Sequence, residues 1–188
     1  MSAFSRIAML AFFVLSLSFL VSALPAPSKE LATRTADVQA VLGLIADLCV
    51  KVQVHVDAMV AAKVVADVKV AVDALVAEIS ACIDAIVAIG VLVNVDVNVK
   101  LEIVAKVATL ITLIIKACID VSVKLGLSVV IGLSVELQVC LQTLLVKLDV
   151  CLGAIIALVL KAIVDVDVVA FIKLNLSILA PLFIILGL

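Results

Sequence analysis

Apolar residues recur at Val38, Val41, Leu42, Ile45, Leu48, Cys49, Val52 and Val56, in steps of one, three or four. That spacing marks one face of a helix. The stripe continues through Val60, Val64, Val68, Val72, Leu75, Ile79, Cys82, Ile83 and Ile86. Asp47, Lys51, Lys63, Asp67, Asp73 and Asp84 fall largely off it. Alanine fills much of the remainder, which lets helices approach closely. The first half of the chain therefore predicts amphipathic helices.

Further on, the period shortens. In "VLVNVDVNVKLE", Val91 to Glu102, apolar and polar residues alternate from Val93. "DVSVKLGLSVVIGLSVELQV", Asp120 to Val139, and "VDVDVVAFIKLNLS", Val164 to Ser177, behave similarly. Alternation and valine both favour strands. Yet a single strand over Asp120 to Val139 would run about 65 Å at roughly 3.3 Å per residue, too long for a small domain. It must break, and Gly126 to Gly132 is the expected place. An all-β chain also needs turn residues every ten residues or so, and here none of the three Pro lies between Ser28 and Ala180, and there are only six Gly. The expected fold is mostly all-α: several amphipathic or apolar helices in a bundle or repeat-like array, with short strands as the option left for the alternating stretches. On this reading Val91 to Glu102 belongs to a helix that is apolar nearly all round.

The N-terminus carries one charge, Arg6, ahead of "IAMLAFFVLSLSFLV" and then Val21-Ser22-Ala23. This is the pattern of a secretory signal peptide cleaved after Ala23; a retained membrane anchor is the alternative. Residues 1–23 are expected to be the signal, 24–36 a polar, Pro-containing lead, and 37–188 one helical domain with an apolar C-terminal tail. Export would take away four of the six Phe and shift the formal charge from −2 to −3.

Composition then raises a difficulty. Hydrophobic residues make up 68% of the chain, against roughly 45–50% in ordinary soluble domains. One domain of this length has too little interior for them, so apolar surface must meet a bilayer, another copy or an external interface. With no dense basic patch and no Trp or Tyr, nucleic-acid binding is excluded. No phosphate loop is present, and no cofactor is expected.

Cys49, Cys82, Cys118 and Cys151 are spaced by 33, 36 and 33 residues. Two of them sit in matching text, "ACIDAIVAIGVLV" and "ACIDVSVKLGLSV". A period of this size suggests repeated helical units. Secretion would favour oxidised thiols, and an odd count leaves at least one unpaired within the chain. Cys118 and Cys140 are symmetric about Val129, so a hairpin at Gly126 to Gly132 would set them opposite one another as a candidate disulfide. Cys140 and Cys151, about three helical turns apart, would share a face.

With one His and no Cys-x-x-Cys, a metal site is poorly supported. His55, the sole His, has no readable Ser-His-Asp or Cys-His context. It is expected to be a surface or half-buried residue. Asp165 and Asp167 are expected to be a solvated face rather than an acid/base pair. Asn175-Leu176-Ser177 is a glycosylation sequon. Catalysis is not expected.

Three roles fit. One is an integral membrane protein with several short helices, although no segment qualifies cleanly: charges interrupt Ile103 to Ile115 and Gly153 to Val164, and Leu174 to Leu188 is apolar but short. Another is an extracellular lipid carrier. The third is a secreted, surface-active structural protein of the cell wall or cell surface, self-associating as a homo-oligomer and meeting a hydrophobic surface, wall or lipid interface. The signal through Ala23, the lead "LPAPSKELATR" and the segments "LIADLCVKV", "AEISACIDAIV" and "KLDVCLGAII" resemble small secreted, Ala/Val/Leu-rich wall-associated proteins of mushroom-forming fungi. The resemblance is compositional, spans most of the chain and lacks the eight-cysteine pattern of hydrophobins. It implies a role in coating or attachment and assigns no functional residue.

Overall fold

The structure, a computed structural model, describes residues 29–93 and 95–163. They form five helices: α1 (Lys29–Ala61), α2 (Val65–Ile89), α3 (Val97–Leu125), α4 (Leu127–Leu152) and the short α5 (Ile156–Ala162). No strand occurs among the described residues, so the all-α expectation holds. The chain divides into two units between Thr35 and Ala36. Residues 29–35 of the first unit are the opening of α1, which starts inside the stretch read above as a polar lead. The packing described here is that of the second unit.

In α1 the buried residues are Val38, Val41, Ile45, Leu48, Val52, Val56 and Met59. Their steps of three and four give a narrow stripe of the kind that packs between antiparallel and parallel neighbours. The continuing stripe in α2 is buried at Val68, Val72, Leu75, Ile79, Cys82, Ile83 and Ile86. Asp47, Lys51, Lys63, Asp67, Asp73 and Asp84 all face outward. Between the two helices the chain turns at Ala62 to Val64, and Val64 takes an extended conformation with no side-chain cap. No Gly or Pro marks this turn, and the apolar period runs straight through it.

Cross-helix contacts fix the directions. The Lys51 Nζ–Glu78 Oε2 pair at 2.7 Å and the Cys82 thiol on the Leu44 carbonyl make α1 and α2 antiparallel. Lys124 Nζ donates to the Val60 carbonyl at 2.6 Å, and the Cys49 thiol reaches the Lys106 carbonyl, so α1 and α3 run the same way. The Cys140 thiol contacts the Val76 carbonyl on α2, and further along Leu92 N donates to the Cys151 carbonyl at 2.8 Å. Helices α2 and α4 are therefore parallel and closely packed. Helix α3 lies against α4 and α5. The result is a bundle of four long helices running alternately up and down, with α5 laid on α3 and α4.

Helix α3 has the widest buried face, which includes Ile103, Val104, Val107, Leu110, Ile111, Ile114, Ile115 and Val121. Ala71, Ala108 and Ala117 are also buried, so small residues do sit where helices meet.

The alternating segments are not strands. Val91 to Val93, Val95 and Asp96 lie outside any helix, and α3 begins at Val97. The expectation of a continuous helix there is corrected by Asp96, whose carboxylate accepts from Asn98 N at 2.8 Å and from Val99 N. An aspartate in this position satisfies donors that would otherwise be orphaned and starts the helix. Asp120 to Val139 is helix on both sides of one residue, Gly126, at φ +100. The break falls at the first of the two glycines, and Gly132 lies within α4. Valine's strand propensity is overridden here by packing of the helix face. Val164 to Ser177 lies outside the described residues.

Gly126 and Gly43 provide a paired test. An L side chain at Gly126 would be forced into a conformation only glycine adopts readily, so Gly126→Ala should destabilise by about 1–3 kcal/mol. Gly43 sits inside α1 with open space around its Cα, so Gly43→Ala should stabilise by about 0.5–1 kcal/mol. Urea denaturation of the two variants measures both signs.

Candidate functional site

The cysteine period corresponds to one helix per repeat: Cys49 lies in α1, Cys82 in α2, Cys118 in α3 and Cys151 near the end of α4. In the two matching segments the shared text is the end of a helix followed by a positive-φ glycine, Gly90 after α2 and Gly126 after α3. In these two segments the shared text is thus a helix end, with a buried thiol about two turns before the stop.

All five cysteines are free thiols. The structure does not join Cys118 to Cys140. The hairpin is centred on Gly126, not Val129, which puts Cys118 level with residue 134 and Cys140 level with residue 112. A six-residue offset along a helix is about 9 Å. Cys140 instead faces α2, where its sulfur lies 3.6 Å from Ser80 Oγ. Cys140 and Cys151 are both buried on α4.

Burial sets the chemistry of these thiols. It pushes Cys118 up to about 12. Cys82 is raised to about 11, first by burial, then by nearby Cys49, with Lys51 opposing. Burial also raises Cys49, Cys140 and Cys151. The thiolate is the nucleophile and the metal ligand, and at neutral pH these sites hold almost none of it. They act as small core hydrophobes.

His55 is half-buried on α1. Among the described residues no group of His, Cys, Asp and Glu is placed to hold a metal ion. Asp165, Asp167 and the sequon Asn175 lie outside the described residues.

Two surface features stand out. An open groove of about 530 Å³ runs between α2 and α4, lined by Val76, Ser80, Ile83, Val135, Val139 and Thr143 among others. The carboxylates of Asp84 and Glu136, both exposed residues, also line it. The groove arises because α2 and α4, distant in sequence, lie side by side, which no local pattern announces. A smaller cleft between α1 and α2 holds the Lys51–Glu78 pair above Cys82. Gln138 is a buried polar residue of α4, and its Nε2 makes no hydrogen bond.

The outer faces of the helices are the other feature. Fifteen large hydrophobic side chains are exposed among the described residues, and all but Leu101 are valines. They include Val50 and Val54 on α1, Val70 and Val87 on α2, Val123 on α3, and Val135, Val139, Val146 and Val150 on α4. What these faces offer is apolar area in water.

The chain matches no protein-family profile, no curated protein and no solved structure.

The raised thiols give a pH test under reducing conditions. A folded-state pKa above the unfolded value contributes stability below the unfolded value, and that stability is lost as pH rises toward the folded one. Between pH 9 and about 12 the unfolded chain releases the Cys118 proton while the folded chain retains it. Stability should fall across this window, and Cys118→Ala should flatten the slope by about one proton, near 1.4 kcal/mol per pH unit. Urea midpoints at stepped alkaline pH would show it.

Proposed function

We propose that this protein is a secreted, surface-active structural protein that coats or attaches to hydrophobic surfaces at the cell wall or cell surface. The observation that carries the reading is the row of exposed valines around a core already closed by Ile, Leu and Val. Apolar side chains at 42–81% exposure leave much of their area in water. Each Å² that they remove from water at an interface contributes roughly 25 cal/mol. No pocket chemistry is needed for this function. Self-association in solution uses the same surplus area, and the signal pattern before Ala23 provides the route outward. The resemblance to fungal wall-associated proteins points the same way.

A lipid carrier is the second reading, favoured by the α2–α4 groove with its apolar floor. The membrane-embedded alternative has less support, since no described helix is long and apolar enough to cross a membrane.

Expression of the full chain in a eukaryotic secretory host separates these. The protein should appear in the medium, dissolve in detergent-free buffer, carry no stoichiometric lipid and lower the surface tension of that buffer at micromolar concentration. One lipid per chain after purification would establish the carrier instead. A requirement for detergent would favour the membrane alternative. A monomer that leaves the tension unchanged would overturn the proposal.

A further inference from the structure

Each long helix has a face opposite its buried stripe, and three of the four place charge on it. On α1 that face carries Asp47 and Asp57, on α2 Asp73 and Asp84, and on α3 Glu102 and Asp120, all exposed. Helix α4 differs. From Val135 onward it buries Leu137, Leu141, Leu144, Leu145 and Leu148 among others. The opposite side carries Val135, Val139, Val146 and Val150, exposed by 55%, 48%, 42% and 59%. At about 100° per residue these four lie within about 60° of one another, in a straight seam about 22 Å long.

Two charges flank the seam on one side. Glu136 and Lys147, both exposed, project about 20° apart around the helix. Neither forms an ion pair among the described residues. The valines are spaced by four, seven and four residues, so the seam reads the same in either chain direction.

From this we infer that the seam is where a second copy of the chain docks, antiparallel, about a two-fold axis level with Gln142 and Thr143. Turned that way, Val135 meets the partner's Val150, and Val139 meets the partner's Val146. The same axis sets like flank against like flank. Glu136 then comes within about 3 Å, measured along the helix, of the partner's Lys147, and the pairing occurs twice. A parallel copy would leave Glu136 unmatched and turn Lys147 toward Asp149, which already accepts from Ile155 N and Ile156 N. The inference rests on the self-association that accompanies the surface-active reading, and it specifies the contact. A lipid layer or a bare apolar surface would use the valines, but it gives no reason for their symmetric spacing or for an acid and a base on one flank. A single-helix seam is small for a protein interface, so the expected dimer is weak.

Sedimentation equilibrium of the full chain in detergent-free buffer tests this and should show monomer and dimer in exchange. Val139→Glu with Val146→Glu should weaken association about thirtyfold or more. Glu136→Lys alone, or Lys147→Glu alone, should weaken it about fivefold, because each sets like charges together twice across the axis. The two changes in one chain should restore it to within about twofold of wild type, and an equimolar mixture of the two single variants should associate more tightly than either alone. Circular-dichroism melting separates lost docking from lost folding, and the charge exchange, made at exposed positions, tests the pairing independently of the valine variant. A wild-type chain that stays monomeric, a valine variant that dimerises normally, or a charge exchange without rescue would each overturn the inference. If the wild-type monomer nonetheless lowers surface tension, this inference falls and the surface-active reading stands. If the protein dimerises through the seam and leaves the tension unchanged, the reading falls and the seam stands.

Discussion

A helix in a four-helix bundle can turn only part of its circumference toward its neighbours. In α1 that part is the single stripe from Val38 to Met59, while Val50 and Val54 on the same helix remain in water. Even α3, covered by α1, α4 and α5, keeps Val97, Leu101 and Val123 exposed. The constraint is geometric: interior volume is set by helix number and length, and the chain carries more apolar side chains than that volume holds. The rest of the surface follows from this excess.

What holds the bundle together is ordinary. Its core is a continuous cluster of Ile, Leu, Val, Ala and Cys from every long helix. Burying one such large side chain contributes about 1.5–3 kcal/mol. The polar ties are few and mostly at the rim. Lys51–Glu78 and Lys106–Glu102 are exposed pairs, each worth well under about 1 kcal/mol. Their value is in direction and register, as are the side chains that close helix ends, Asp96 at α3 and Asp149 at α5. Cysteine belongs with the core rather than with the chemistry, because burial disfavours the thiolate at all five positions.

These two facts together shape the functional reading. The outer valines lie outside the buried cluster, and the proposed function uses them. Valine is a modest choice for this: its short branched side chain adds apolar area to a helix surface with little reach. Polar residues remain interspersed with it over the described surface.

Much of this fold could be read from the residues. Steps of three and four from Val38 to Ile86 determined helix over this stretch, most of its buried face and the outward aspartates and lysines, because helical period and burial are local properties of a sequence. The surplus of apolar residues, and so the expectation of an interface, was also legible in composition alone. Other features were not. The turn at Ala62 to Val64 carries no breaker, and the apolar period crosses it unbroken. The alternating runs around Asp96 and Gly126 left strand, connector and helix open, since valine and period two look the same in each. Only tertiary packing resolved them, by giving the helix faces a core to bury against. It likewise put the hairpin at Gly126, so moving Cys118 out of level with Cys140, and set α2 beside α4 to form a groove. Each of these depends on which distant segments become neighbours, a choice made by the packing of whole helices and not by any single stretch of chain.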